Sequence, residues 1–262
     1  MDALLIVPIL VGIISAWVVN YLADVLPASL RLSQPVCTNQ ECQKPLPWRD
    51  YLLLQPCKQC GRRRSIRTFV MIILCIASAL FLWLSAPARL GFWLGLLALD
   101  YFYVVAIIDL EHRLVLGPLS IAGLLIGGLA GWLNHGWQNT LIGGGAGFLI
   151  MFAFYLFGKL FTSVRARRRG EDPKQAEEAL GSGDVTLATI LGLFLGWPFI
   201  WLGLLLGALI AGAISLIIVV ALLIGRKYKQ EAFMVFIPLG PMFIISALLM
   251  VYLPELISSI IP

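Results

Sequence analysis

Charge is scarce in this sequence. Only 13% of its 262 residues are Asp, Glu, Lys or Arg, while 60% are hydrophobic. A soluble domain carries about a quarter charged residues, so that class is excluded and a polytopic membrane protein is favoured. A cleavable signal-peptide pattern is also lacking. The first apolar run, Ala3 to Leu22, follows Met1-Asp2 with no basic stretch before it and no small-residue cleavage pattern. That run is read as a retained first span. There is no internal repeat and no low-complexity tract. A phosphate loop is missing too: no Gly-Lys-Ser/Thr follows Gly143-Gly144-Gly145 and Gly147, and those glycines point to close helix packing. The formal charge of +5 would suit nucleic acid or anionic lipid. In a membrane chain the placement of the basic residues matters more than their sum, and no nucleic-acid partner is expected.

What the chain has in quantity is long apolar runs. A span needs roughly 20 such residues. Eight segments qualify: 3–23, 68–86, 90–110, 116–133, 140–161, 185–198, 199–225 and 232–253. The run from Val185 to Ile224 is too long for one span, and Pro198 after Gly196-Trp197 divides it. The basic residues support eight. Loop 24–67 holds Arg31, Lys44, Arg49, Lys58, Arg62, Arg63, Arg64 and Arg67, and three further alternate loops hold all the rest except Arg89. By the positive-inside rule those loops are cytoplasmic and both termini lie outside. The expected fold is all-α, with eight transmembrane helices and a small cytoplasmic module. It divides into a first helix (1–23), a cysteine module (24–67) and a seven-helix membrane domain (68–262). The run Arg165-Ala166-Arg167-Arg168-Arg169 reads first as a topology anchor and second as a contact for anionic head groups.

Two acids stand at ends of apolar runs. Asp109 closes the third span, and Asp184 opens the sixth behind Gly181-Ser182-Gly183. The alternation of sides puts both at the cytoplasmic edge. Two neighbouring aspartates share a proton, so one can activate water while the other protonates a carbonyl, which is the chemistry of peptide hydrolysis. Gly181 and Gly183 offer backbone angles closed to other residues and room for a peptide strand. Taken singly, each acid has a plainer reading: Asp184 as a helix N-cap and Asp109 as a marker of the water interface.

Cysteine is also unevenly spread. Cys37, Cys42, Cys57 and Cys60 give C-x4-C, fourteen residues, then C-x2-C, while Cys75 lies inside the second span as packing. Two close pairs of thiolates in a cytoplasmic loop suit a tetrahedral Zn²⁺ that staples an otherwise poorly apolar segment. Two disulfides or free thiols are the alternatives.

Asp109-Leu110-Glu111 and Gly181-Ser182-Gly183-Asp184-Val185-Thr186-Leu187 resemble the two catalytic motifs of the type IV prepilin peptidases, a family of membrane aspartic proteases. Asn20 with Leu26-Pro27, the four cysteines, Ala188 to Trp197, and Ile237-Pro238-Leu239-Gly240-Pro241 extend the resemblance over nearly the whole chain. The resemblance implies Asp109 and Asp184 as the catalytic pair and a place in a bacterial inner membrane. It also implies prepilin or pseudopilin substrates of pilus and type II secretion systems, cut after a short basic leader. Many members also methylate the new N-terminus with S-adenosylmethionine. Two features of that second pattern are absent here. No acid follows the second cysteine pair in Ser65 to Ile72, and Val25 stands where an Arg precedes Leu-Pro. The first cysteine pair is one of the departures as well, since the family usually has C-x2-C there.

Other readings compete. A transporter would use Asp100, Asp109 and Asp184 along an ion path, but the latter two are expected at the interface and no repeated pair of broken spans is visible. An inactive assembly scaffold is a second, and a presenilin-like protease a third, though Ile108 replaces the Tyr before its Asp. Asp100 is expected to bond a neighbouring helix or serve a water path. Glu111 and His112 are expected in an exposed loop, and His135, with Trp132 and Trp137, at the outer interface.

Overall fold

The computed structural model describes residues 2–37, 42, 44–87, 89–169, 181–224 and 238–255, without side chains at 2–4, 166–169 and 222–223. Among these residues the regular structure is helical: α1 Asp2–Ser29, α2 Trp48–Leu52, α3 Ile66–Ser85, α4 Gly91–His112, α5 Gly117–His135, α6 Trp137–Arg169, α7 Ser182–Leu195, α8 Phe199–Ile224 and α9 Gly240–Tyr252. The sole extended pairing among them is the bridge of Val36 with Pro45. Each of the eight expected segments contains a helix. Six are long and apolar enough to cross a membrane, whereas α7 and α9 are shorter. This is a multi-pass membrane protein. Residues 170–180, Lys174 among them, and 225–237, with Arg226, Lys227 and Lys229, lie outside the described residues.

The chain forms two compact units, Met1–His112 and Arg113–Pro262. In the first, α1 packs on α3 and α4. A methyl group on Gly12 would lie 2.7 Å from the Ile76 Cα, so the missing side chain lets α1 and α3 cross closely. Ser15 of α1 donates to Asp100 of α4, and Ser78 of α3 meets the Tyr103 hydroxyl at 2.7 Å. Asp100 therefore does bond a neighbouring helix. The first helix runs six residues past the expected end because Val25 and Leu26 are buried and Pro27 falls in its last turns. It stops where Leu30 turns left-handed at φ 54° and its N–H returns to the Leu26 carbonyl.

In the second unit α7 is the inner helix. It packs on α5, α6, α8 and α9. The glycine run of α6 faces it: a Cβ on Gly143 would stand 2.4 Å from the Gly192 carbonyl oxygen, and one on Gly147 2.3 Å from that of Ala188. The expected close packing is borne out at Gly143, Gly144 and Gly147, whereas a Cβ on Gly145 would meet nothing within 4 Å. α7 ends at Leu195, where Gly196 takes φ +72° and Trp197-Pro198, a cis peptide, leads into α8. The predicted break in the long apolar run falls there. Ser246 of α9 donates to the Gly203 carbonyl of α8 at 2.7 Å, and Phe243 packs over Gly207.

Candidate active site

Asp109 sits in the last turn of α4, the most buried of the long helices. Its residue is buried rather than set at an exposed rim. Two residues on, Glu111 is 41% exposed in its side chain, and Arg113 turns the backbone left-handed at φ 55° to end the helix. Asp109 closes the first unit.

Asp184 belongs to the second unit. It is not the N-cap of α7: that residue is Gly181, and Asp184 is the third helical residue. Its carboxylate accepts from the Gly181 N–H at 3.2 Å, and its own N–H donates to the Gly181 carbonyl at 3.1 Å. An acid here satisfies an orphan donor and faces the positive end of the helix dipole. The side chain remains half-buried, open on the side of the helix start. The two glycines act differently from expectation. Gly181 has φ −84°, an angle open to any residue, and Gly183 is not left-handed either. Gly183 is small for space, because a Cβ there would stand 2.9 Å from the Val115 side chain.

The four cysteines are brought together. The Sγ atoms of Cys37, Cys42, Cys57 and Cys60 all lie within 4.8 Å of one another, and none is in a disulfide. Tetrahedral zinc thiolates at about 2.3 Å from the metal would stand about 3.8 Å apart, so the set fits Zn²⁺. The ribbon is built for it. The Cys37 N–H donates to the Lys44 carbonyl, the Gly61 N–H returns to the Cys57 carbonyl, and Gly61 takes φ +68° to close that turn. Backbone N–H groups of Cys60 and Gln59 hold the Cys57 thiol down at about 6, which favours the thiolate a metal binds. Cys37 and Cys57 share a small core with Leu46 and Tyr51, against which Tyr21 of α1 packs.

Residues 96–217, which carry both motif aspartates, match the family model described as the Type IV leader peptidase family. A protein of Aeromonas hydrophila named "Prepilin leader peptidase/N-methyltransferase" is 28% identical over 236 residues, 83% of this chain and 71% of that one. One of Klebsiella pneumoniae with the same name is 29% identical, over 64% of this chain and 72% of the relative. One of Aeromonas salmonicida is 26% identical, over 71% of this chain and 57% of the relative. No solved structure matches. The chain is related to the type IV prepilin peptidases. The resemblance in the motifs is borne out, and with it the enzyme class, prepilin peptidase.

Beside the first motif, in the same unit, lies a group that sequence reasoning passed over. Asp24, with a side chain only 3% exposed, pairs with Arg67 and accepts from the Tyr51 hydroxyl at 2.9 Å. Arg64 stands 3.7 Å from the same carboxylate and 4.1 Å over the Tyr51 ring. Arg67 also donates to Glu111 at 2.6 Å. Burial, and then the charge of Asp24, push the Tyr51 phenol upward, which keeps it a neutral donor. The end of α1, the start of α3 and the cysteine module are thus tied through Asp24, and Glu111 joins the end of α4 to them through Arg67. Glu111 is a partner of α3 and not a loose loop residue. His135 makes contacts that its place between the tryptophans does not suggest. Trp132 and Trp137 are exposed, but the His135 ring lies over Gly196, and its Nε2 donates to the Phe194 carbonyl at 3.3 Å. The ring fills space that a glycine leaves, so it locks α5 to the end of α7.

Proposed function

We propose that the chain is an aspartic endopeptidase that removes the basic leader from type IV prepilins and pseudopilins at the cytoplasmic face of a bacterial inner membrane. The observation that carries this is the place of the two acids: both fall within the family match, and each lies at an end of an apolar helix. Asp109 and Asp184 act as one titrating pair holding a single proton. The ionised member takes a proton from water, the water oxygen attacks the scissile carbonyl, and the protonated member donates to the carbonyl oxygen. The proton then passes to the leaving amine and the pair returns to its starting state. Gly183 keeps the start of α7 close to Val115 and so fixes where Asp184 is presented.

In this reading the eight apolar helices lie in the membrane with both termini outside, and the cysteine module is cytoplasmic. Cys37, Cys42, Cys57 and Cys60 hold a structural Zn²⁺ that stabilises the module and does no chemistry on the peptide. The relatives' names include N-methyltransferase. Here the start of the second span carries Arg67, held by Asp24 and Glu111, in a stretch without an acid. Peptidase action is therefore the activity proposed for this chain, and S-adenosylmethionine becomes a cofactor only if the second activity is measured.

The test is cleavage of a prepilin by the purified protein in detergent, repeated with Asp109→Asn and Asp184→Asn. Wild type should release the leader, and each variant should lose at least about a thousandfold in rate. Normal cleavage by either variant overturns the site, and no cleavage of any prepilin by wild type overturns the function. A mass gain of one methyl on the product with S-adenosylmethionine would add the second activity.

A further inference from the structure

The first unit contains a cavity of about 850 Å³ where α1 ends, α3 begins and α4 ends. Asp24, Arg62, Arg63, Arg64, Arg67 and His112 are among its walls. The peptidase mechanism uses none of these groups. Four guanidinium groups line the cavity with two carboxylates, Asp24 and Glu111, and the Cys37 thiol of the cysteine set, so the arginines outnumber the carboxylates. The surplus is chemical as well as numerical. The Arg64 side chain is only 7% exposed, and its Nη2 is buried with no hydrogen-bond partner. The Arg67 Nε is buried and unpartnered too. A buried charged donor left unsatisfied is costly, so an acceptor that reaches the same guanidinium is favoured.

A second source of positive potential opens on the same space. Ser65, Ile66 and Arg67 form both part of the wall and the start of the 20-residue helix α3. The first turn of α3 holds no acid. The N-terminus of a helix attracts anions through its free N–H groups and its dipole, and an Arg in that turn is placed against the dipole. Arg67 stays there because Asp24 and Glu111 offset it.

We propose that this cavity is an anion site for a phosphate group. Its membrane source is the phosphodiester head group of an acidic phospholipid, and its soluble source is free phosphate. Arginine forks suit phosphate oxygens geometrically, and four of them converge here. The level also fits. The cavity lies at the ends of three apolar helices long enough to span, where head groups meet a basic pocket.

The test uses the full chain, purified in neutral detergent and stripped of lipid. Short-chain phosphatidylglycerol, short-chain phosphatidylcholine and inorganic phosphate are titrated separately, by native mass spectrometry for the lipids and calorimetry for phosphate. One phosphatidylglycerol per chain should bind in preference to phosphatidylcholine. Arg62 and Arg63 are exposed, so Arg62→Gln with Arg63→Gln should leave the fold intact and weaken binding about tenfold or more. Arg64→Lys keeps the charge but loses the fork, and should also weaken it. Lys159→Gln with Arg165→Gln, an equal charge loss in the other unit, should change it less than about twofold. Binding of phosphatidylglycerol without phosphate assigns the lipid source, and binding of both shows that the phosphate group suffices. Equal binding of the two lipids, no binding of either phosphate source, or equal losses in both double variants overturns the proposal. Binding of S-adenosylmethionine in place of any phosphate compound overturns it as well.

Discussion

Asp24→Asn should destabilise the protein far more than Glu111→Gln, although both remove a carboxylate from the same arginine. Asp24 is 3% exposed and serves Arg67, Arg64 and Tyr51 together. Arg64 and Arg67 are themselves 7% and 15% exposed, so they cannot recover the lost partner from water. Breaking a buried pair from one side costs about 3–5 kcal/mol. Glu111 is 41% exposed, and a pair of that kind is worth about 0–1 kcal/mol. Unfolding in detergent, followed by denaturant midpoint, should separate the variants by about 2 kcal/mol or more. A double-mutant cycle of Asp24→Asn with Arg67→Gln should show coupling above about 1 kcal/mol. Because Asp24 also holds Tyr51 in the core of the cysteine module, Asp24→Asn should speed zinc loss to a chelator, and Glu111→Gln should not. Equal midpoints for the two single variants, or coupling below about 0.5 kcal/mol, would refute the view that Asp24 is the buried tie between the helices and the module.

Gly143→Ala puts a Cβ 2.4 Å from the Gly192 carbonyl oxygen and should cost about 1–3 kcal/mol, whereas Gly145→Ala meets nothing within 4 Å and should be neutral or slightly stabilising; thermal unfolding in detergent compares them. Zinc should be retained at neutral pH. Zinc and protons compete for the four thiolates, so metal content measured after dialysis should fall only below about pH 6, where the metal-free Cys57 thiol takes up its proton, and undiminished metal in strong acid would contradict the site. Cys57→Ser should lower metal content at every pH and loosen the module.

The helices were legible because lipid demands long apolar runs, and the α6 glycines because a close neighbour explains such a cluster, as it does for Gly143, Gly144 and Gly147 though not for Gly145. The cysteine set was legible from spacing alone. Asp24 was not. It follows an apolar run and reads as the first loop residue, and no local pattern links it to Arg67, 43 positions away. Arg64 and Arg67 had been assigned to topology, a role that any arginine on that side fills. The packing of His135 was hidden for the same reason: two nearby tryptophans suggest an interface, and the space over Gly196 exists only in three dimensions.

The depth of Asp184 was also hidden, because counting spans treats every helix as full length. α7 has 14 residues, about 21 Å against a hydrocarbon core of about 30 Å. Its register on α6 is antiparallel, Gly143 against Gly192 and Gly147 against Ala188. One more turn in the same register sets Asp184 against Met151, the last buried residue of α6 within its described side chains. From there α6 runs on to Arg169, 18 residues or about 27 Å further. α8 repeats the pattern. Its buried positions 200, 203, 204, 207 and 211 have the spacing of 140, 143, 144, 147 and 151 in α6, and then stop among the described side chains. Each long helix buries its first half against short neighbours and shows no further buried residue among its described side chains. If 140–161 crosses the bilayer, Asp184 lies about 15 Å inside the end of that span rather than at its rim. A carboxylate at that depth requires water to reach it. In a Cys75→Ala background loaded with zinc, a cysteine at exposed Ser182 should therefore react with a small membrane-impermeant maleimide. It should react more slowly with a bulky one than a cysteine at exposed Arg165 does. Equal rates at the two positions with the bulky reagent would put Asp184 back at the surface.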